Sequence, residues 1–242
     1  GAGIAPAQLP LAIQRHSTSK LVSVDDLTHI QTLGFRGEAL ASIVAVAELS
    51  LRSVAKQGEA GLEIHTRENS LIRQQPVGGA RGTRAIVRGI FRTLPARLEF
   101  LRANRTESNH VANTVARAAL AHPDVSIELR DNERTRIRTP GTGSLREALT
   151  AIHGTKLVDD LIELPPGQTL GIEGFVSQPH FHRPSRSEIS FFVNGRWVSD
   201  RLLSAAVSDA YRSIVPSGRF PVVVLHLSLP PEEVDVNVHP AK

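Results

Sequence analysis

Gly34 and Gly37 bracket a Phe-Arg pair in LGFRGEALASI, and a helical pattern of apolar residues begins directly behind them. A helix start offers unpaired N–H groups and the positive end of the peptide dipoles, which together hold an anion. Glycine there lets the backbone approach a phosphate with no Cβ in the way. The same two glycines also suit a capped corner between helices, and alone they do not choose between the readings. Upstream, RHSTSK (15–20) packs hydroxyls and a lysine into one short loop, which can wrap a triphosphate or form a solvated, capped turn. Downstream, GGARGTRAIV (78–87) sets Thr83 at the mouth of a strand candidate. Its hydroxyl could meet a base edge there, or belong to an ordinary β-turn.

The other chemistry-bearing residues are scattered. His180 and His182 in QPHFHRPSR invite a metal reading, but no carboxylate or third histidine stands at ligand spacing, so no metal site is expected. His239 alternates with valines in VDVNVH and reads as a packed residue. No Gly-x-Ser-x-Gly elbow occurs, and no carboxylate pair is spaced for acid–base work. The arginines gather in two places: RTRIR (134–138) with Arg130, and NGRWVSDR, where Arg196 and Arg201 flank the single tryptophan, Trp197. Each set reads either as solvated loop residues around a core tryptophan or as a face gripping duplex DNA phosphates, by salt-sensitive and largely sequence-blind contacts.

The elements that must position these residues alternate in type. DDLTHIQTL (25–33) starts with two acids and stops at Gly34, as a helix does. GEALASIVAVAELSLRSVA (37–55) passes from helix to strand, GTRAIVRGIF (82–91) reads as a strand, and TLPARLEFLR opens a short helix at Thr93 and Pro95. TESNHVANTVARAALAHP carries Val111, Val115 and Ala119 on one helical stripe and ends at Pro123; VSIELRD (125–131) is a strand. The polar run NERTRIRTPGTGS (132–144) reads as a linker. Beyond it come the helix LREALTAIHG, closed by Gly154, and two strands around the Pro-Pro-Gly turn of LIELPPGQTLGIEGFVSQP. SEISFFVNGRWV reads as a hairpin on Asn-Gly, RLLSAAVSDAYRSIV as an amphipathic helix, VVVLHLSL as a buried strand and VDVNVH as a half-buried one. The expectation is α+β in two parts, 1–131 and 145–242, joined by 132–144.

Composition narrows the class. In 242 residues, 21% are charged and the formal net charge is +4, nearly all of the positive charge being arginine. That excess reads either as compositional bias or as a nucleic-acid surface. Cysteine is absent, which excludes disulfides and thiolate metal sites and agrees with a reducing, cytoplasmic setting. No apolar run reaches membrane-spanning length, so no membrane partner is expected. Methionine is absent too, even at position 1, so the chain reads as a fragment of a longer one.

Taken in order, GAGI, RHSTSK, GFRGEALASI, GTRAIVRGIF with TLPARLEFLR, FFVNGRWVSDR and VDVNVHPAK resemble the N-terminal ATPase region of the MutL family of mismatch-repair proteins, from Gly1 to Lys242. GFRGEAL, PARLEFLR and VDVNVHPAK carry the resemblance, which favours this family over a gyrase-like subunit. It implies an α+β chain: an incomplete GHKL-type α/β sandwich, followed by a transducer-like domain of the ribosomal S5 domain 2-like kind.

The resemblance also implies roles. Gly1 and Gly3 match the glycines of an Asp-x-Gly-x-Gly motif lying against adenine, and Thr18, Ser19 and Lys20 match part of the nucleotide lid. Gly34, Phe35, Arg36, Gly37 and Glu38 match the phosphate-cradling motif. Gly82 and Thr83 match the motif whose hydroxyl helps hold the adenine, and Lys242 matches the lysine that reaches the terminal phosphate. ATP and Mg²⁺ are the implied cofactors of the complete protein. Its general-base Glu and Mg²⁺-binding Asn are expected upstream of Gly1, so this fragment alone is expected not to hydrolyse ATP. Gly89 and Thr93 stand where the family often has Asp and Asn.

The implied partners are a second copy through the N-terminal region on ATP binding, a MutS-type mismatch sensor, duplex DNA, and a downstream nuclease or helicase. Arg196 and Arg201 are the candidate DNA contacts. A second class of reading is a non-catalytic DNA- or partner-binding module.

Overall fold

The structure, a computed structural model, describes residues 1–18, 34, 37–164 and 171–234. The chain forms two compact units, Gly1–Arg102 and Ala103–Lys242.

In the first unit, two single 3-10 turns (Pro6–Gln8 and Leu11–Ile13) precede α1 (Ala39–Val44) and the strands β1 (Glu48–Val54), β2 (Gly61–Arg67), β3 (Ser70–Val77) and β4 (Gly82–Arg88), followed by α2 (Pro95–Glu99). The sheet runs β3-β2-β1-β4, antiparallel throughout. Period-two alternation in ELSLRSV turns Leu49, Leu51 and Ser53 inward. The two leucines pack with Leu9, Val44 and Ile64. Burying each such side chain contributes about 2 kcal/mol. On the opposite face Glu48 meets Arg67 at 3.1 Å and Arg92 at 3.3 Å. The helix-to-strand passage over 37–55, the strand from Gly82 and the short helix at Pro95 stand as the sequence predicts.

The second unit contains α3 (Asn104–Ala121), β5 (Glu128–Asp131), β6 (Arg134–Arg138), α4 (Leu145–His153), α5 (Thr155–Val158), β7 (Leu161–Leu164), β8 (Ile172–Ser177), β9 (His182–Arg183), β10 (Ile189–Val193), β11 (Arg196–Val198), α6 (Arg201–Tyr211), β12 (Phe220–Pro221) and β13 (Val223–Leu227). Its main sheet runs β11-β10-β13-β8-β7, with β10 and β13 parallel and the other pairs antiparallel. Leu149, Leu157, Phe175, Phe192 and Val224 form the core, with Trp197 packed against it. Along α3 the predicted stripe is buried only at Ala119, beside buried Leu120, while Val115 is half-buried and Val111 exposed. The Ser144 hydroxyl accepts from the Glu147 N–H and starts α4. Asp200 does the same for α6 through Leu203. Tyr211 holds the far end of α6 by donating to the Ser177 carbonyl at 2.5 Å.

The mixed α+β expectation therefore stands. The expected linker does not have the form the composition suggested: 132–144 includes β6, paired with β5 and anchored by buried Ile137 and Thr139. One inward isoleucine among arginines hides the strand pattern. The compact units divide instead between Arg102 and Ala103. The predicted elements at 25–33 and 235–239, and the Pro-Pro-Gly turn, lie outside the described residues. Among the described residues, no helix is long and apolar enough to cross a membrane.

Candidate functional site

Gly3 is held against the end of β1. Its φ is +76°, and a Cβ there would sit 2.2 Å from the Val54 carbonyl oxygen, so no other residue fits without backbone movement. This approach brings the Ile4 N–H to the Ser53 hydroxyl at 2.7 Å. Ser53 is 1% exposed and stands where the strand alternation would otherwise put an apolar residue. Its Oγ also lies 3.1 Å from the Gly82 carbonyl oxygen and 2.7 Å from Thr83 Oγ1. The register of β1 with β4 sets this contact, since Ser53 faces Thr83 and Val54 faces Gly82. Arg81 closes the corner by donating to the Ala2 carbonyl at 3.1 Å. Ile4, which follows Gly3, and Thr83, far apart in sequence, thus meet through one buried serine, while Thr83 itself is exposed. Gly1, two residues before Gly3, is exposed with open space around it.

A second cluster forms at the start of α1. Gly37 has φ +64°, and a Cβ would lie 2.6 Å from the Ser17 carbonyl oxygen. Next to it, a Glu38 carboxylate oxygen accepts from the His16 N–H at 3.2 Å and lies 2.9 Å from His16 Nδ1. Gly37 and Glu38 are therefore docked on the turn that leads into the predicted lid residues. Thr18, next to Ser17, is half-buried, and Gly34 is exposed. Ser19, Lys20, Phe35, Arg36 and Lys242 lie outside the described residues.

In the second unit, Arg196 is half-buried on β11 opposite Val193, and Arg201 is exposed at the first position of α6. Trp197 lies between them in sequence, with the Arg117 guanidinium 3.8 Å from its ring centroid. Burial pushes the Arg117 pKa down from its ordinary value. Two arginines of the β5–β6 hairpin have side-chain partners. Arg136 donates to Ser108 at 2.6 Å and Asn109 at 2.9 Å, and Arg130 pairs with Glu128 at 2.7 Å. His180 faces Asp160 at 3.0 Å. Among the described residues, no group of three or more His, Cys, Asp or Glu side chains is placed to hold a metal ion.

Sequence reasoning missed Ser53. The available signal was a hydroxyl on the inward phase of an otherwise apolar strand. It also missed the contact of Arg117 with Trp197, for which the sequence carries no signal, because the two belong to elements far apart in the chain.

The architecture matches solved mismatch-repair ATPase folds. The Aquifex aeolicus MutL ATPase domain complexed with ADP superposes with TM-score 0.68 over 99% of this chain and 83% of that one, at 24% identity. A structure described as the N-terminal domain of a DNA repair protein gives 0.81 over 99% and 75%, also at 24% identity. At these identities the likeness is one of fold. A family model for the DNA mismatch repair protein, C-terminal domain, matches residues 149–242. The sequence is 38% identical to the DNA mismatch repair protein MutL of Staphylococcus carnosus over 244 residues, and 38% identical to that of Halothermothrix orenii over 243. Both alignments cover the whole of this chain, which spans 38% of the length of each relative. The chain is a homologue of the MutL DNA mismatch repair proteins.

Proposed function

We propose that this chain supplies much of the nucleotide-responsive part of a MutL-type mismatch-repair protein. The complete protein would be a dimeric switch that binds and hydrolyses ATP, holds DNA, and couples mismatch recognition to later repair steps. The observation that supports this reading is the convergence of Ile4, next to Gly3, with Gly82 and Thr83 on buried Ser53, with Gly37 and Glu38 docked separately on the His16–Ser17 turn. Two sequence motifs that the resemblance assigns to adenine are thereby joined. Gly37 and Glu38, from the motif assigned to phosphate, meet His16 and Ser17, which directly precede the residues assigned to the lid.

The described residues fit a nucleotide base: an exposed hydroxyl, Thr83, is fixed from behind by a satisfied buried group. Gly1, Gly34 and Thr18 would complete this surface, together with Ser19, Lys20, Phe35, Arg36 and Lys242. Mg²⁺ belongs to the proposal for the whole protein, since no metal-holding cluster stands among the described residues. In the second unit, Arg201 and Arg196 are the proposed DNA contacts, in a transducer-like region over 145–242 that would respond to the terminal phosphate through Lys242. A MutS-type sensor and a downstream nuclease or helicase are the proposed partners, and the cytoplasm the proposed setting.

Sedimentation of the protein extended upstream of Gly1, with and without a non-hydrolysable ATP analogue, tests the switch. A shift from monomer to dimer on adding the analogue is expected. An unchanged mass at saturating analogue would refute an ATP-driven dimer.

A further inference from the structure

The histidines of QPHFHRPSR join no metal-holding group among the described residues, but the arginines of this run gather with others at one end of the main sheet of the second unit. Strands β10 and β13 both begin at this end, where Ile189 pairs with Val223. Strand β8 reaches it at Val176, also opposite Val223, and β11 reaches it at Val198, opposite Phe191. The chain joining these strand ends carries Arg183 and Arg186 between β8 and β10, Arg201 at the start of α6 after β11, and Arg219 just before β12 and β13. Pairing of β9 with β12 sets Arg183 opposite Phe220 and ties two of these connections together. Neighbouring strands lie about 4.8 Å apart, so the four strand ends span about 14 Å.

Arg186, Arg201 and Arg219 are exposed, and Arg183 is half-buried. Two of them are held by aromatic rings: the Arg183 guanidinium lies 4.3 Å from the Phe181 centroid, and that of Arg186 lies 4.8 Å from the Phe220 centroid. A ring covers the flat face of a guanidinium and leaves its N–H edge for an anion. Among the described residues, no carboxylate forms an ion pair with any of these arginines. Of the acids at this end, Asp160 faces His180 at 3.0 Å, Asp200 accepts from the Leu203 N–H, and Glu188 acts on His153. Asp159 precedes β7, at the outer edge of the sheet. We infer that this end of the sheet is one phosphate-binding surface, in which Arg183, Arg186 and Arg219 extend the proposed Arg201 contact into a row that grips the backbone of duplex DNA. The inference rests on the proposed DNA binding and names where else the duplex is held. Over about 14 Å a duplex presents about eight phosphate charges, counting both strands, so the row meets several at once.

The test measures duplex DNA binding by anisotropy across a salt series, using the protein extended upstream of Gly1 and two duplexes of unrelated sequence. Each of Arg183→Ala, Arg186→Ala and Arg219→Ala is expected to lower the salt slope of log K by about one, and the triple variant by about three, alike for both duplexes. Arg186→Lys should keep the wild-type slope, since it keeps the charge and loses only the planar fork. Arg219→Glu, at an exposed side chain outside both ring stacks, should lower the slope even where the triple variant fails to fold. A folded triple variant with the wild-type slope overturns the inference, and so does an unchanged slope in Arg219→Glu. If Arg201→Ala lowers the slope in the same series, the DNA reading survives while the extended row falls. A loss confined to one of the two duplexes also overturns the row, because phosphate contacts carry no sequence information. A wild-type protein that shows no salt-dependent binding to duplex DNA overturns both.

Discussion

Gly37 lies so close to Ser17 that a Cβ on the glycine would stand 2.6 Å from the Ser17 carbonyl oxygen, 2.8 Å from its carbon and 2.9 Å from its nitrogen. All three neighbours are backbone, and φ at Gly37 is +64°, so neither space nor conformation admits a side chain. Gly37→Ala is expected to lose about 2 kcal/mol of stability, or to free the 15–18 turn from α1. Urea unfolding reads the first outcome, and amide exchange over 15–18 reads the second. Wild-type values in both would contradict the close docking of this motif.

The second unit should lose stability in acid. His226 is pushed below its ordinary pKa, first by burial; Glu173 across β8 and a Leu120 backbone hydrogen bond oppose the shift, while His122 adds to it. Phe192 stacks on the ring at 4.8 Å. The unfolded chain, with a histidine value near 6.5, takes up the proton first as pH falls. Stability from this group is therefore full above about pH 6.5 and is lost as pH falls toward the lower folded value. Urea midpoints between pH 7.5 and about 5 should fall for wild type and fall less steeply for His226→Gln. Some slope should remain, because burial also lowers His153. Equal slopes in the two proteins would exclude His226 as a source.

Much of this fold was legible because local chemistry and tertiary packing agreed. Asn194 and Gly195 both take left-handed φ, 48° and 75°, as an Asn-Gly hairpin requires. Ser144 and Asp200 cap the helices that follow them. The β2–β3 hairpin was not legible. It turns on Glu68 and Asn69, at φ 49° and 61°, and glutamate is a poor signal for that conformation. Most of β3 is exposed, so no alternation marks it. The β6 strand was lost for a similar reason. The helix at 201–211 was read correctly as a helix, yet none of its residues is buried and Leu202 is 81% exposed, so its amphipathic pattern did not report core packing.

The site was legible as residue types but not as contacts. Gly3, Gly82 and Thr83 were each visible as motif residues, whereas their junction at Ser53 needed the β1–β4 register.

The α6 cap offers a test of Arg201's setting. Asp200 accepts from the Leu203 N–H at 2.8 Å. Asp200→Ala should lower stability by about 1 kcal/mol. Chemical denaturation would measure this, and an unchanged midpoint would mean that the cap adds nothing.

Duplex DNA binding should depend on Arg201 if that exposed side chain contacts a phosphate. Arg201→Ala is expected to weaken binding to all sequences alike and to reduce the salt slope of log K by about one. Anisotropy titrations across a salt series would show it. A sequence-dependent loss, or an unchanged slope, would remove Arg201 from the phosphate contacts.

The central claim, a nucleotide site organised by Gly3, Gly37, Gly82 and Thr83, is tested most directly by titrating Mg²⁺-ATP against this chain and against the protein extended upstream of Gly1. The account predicts saturable binding by the extended protein, weakened at least about tenfold by Gly37→Ala. No saturable binding by either form, with both still holding duplex DNA in a salt-dependent way, would contradict it and make the chain a DNA-binding module.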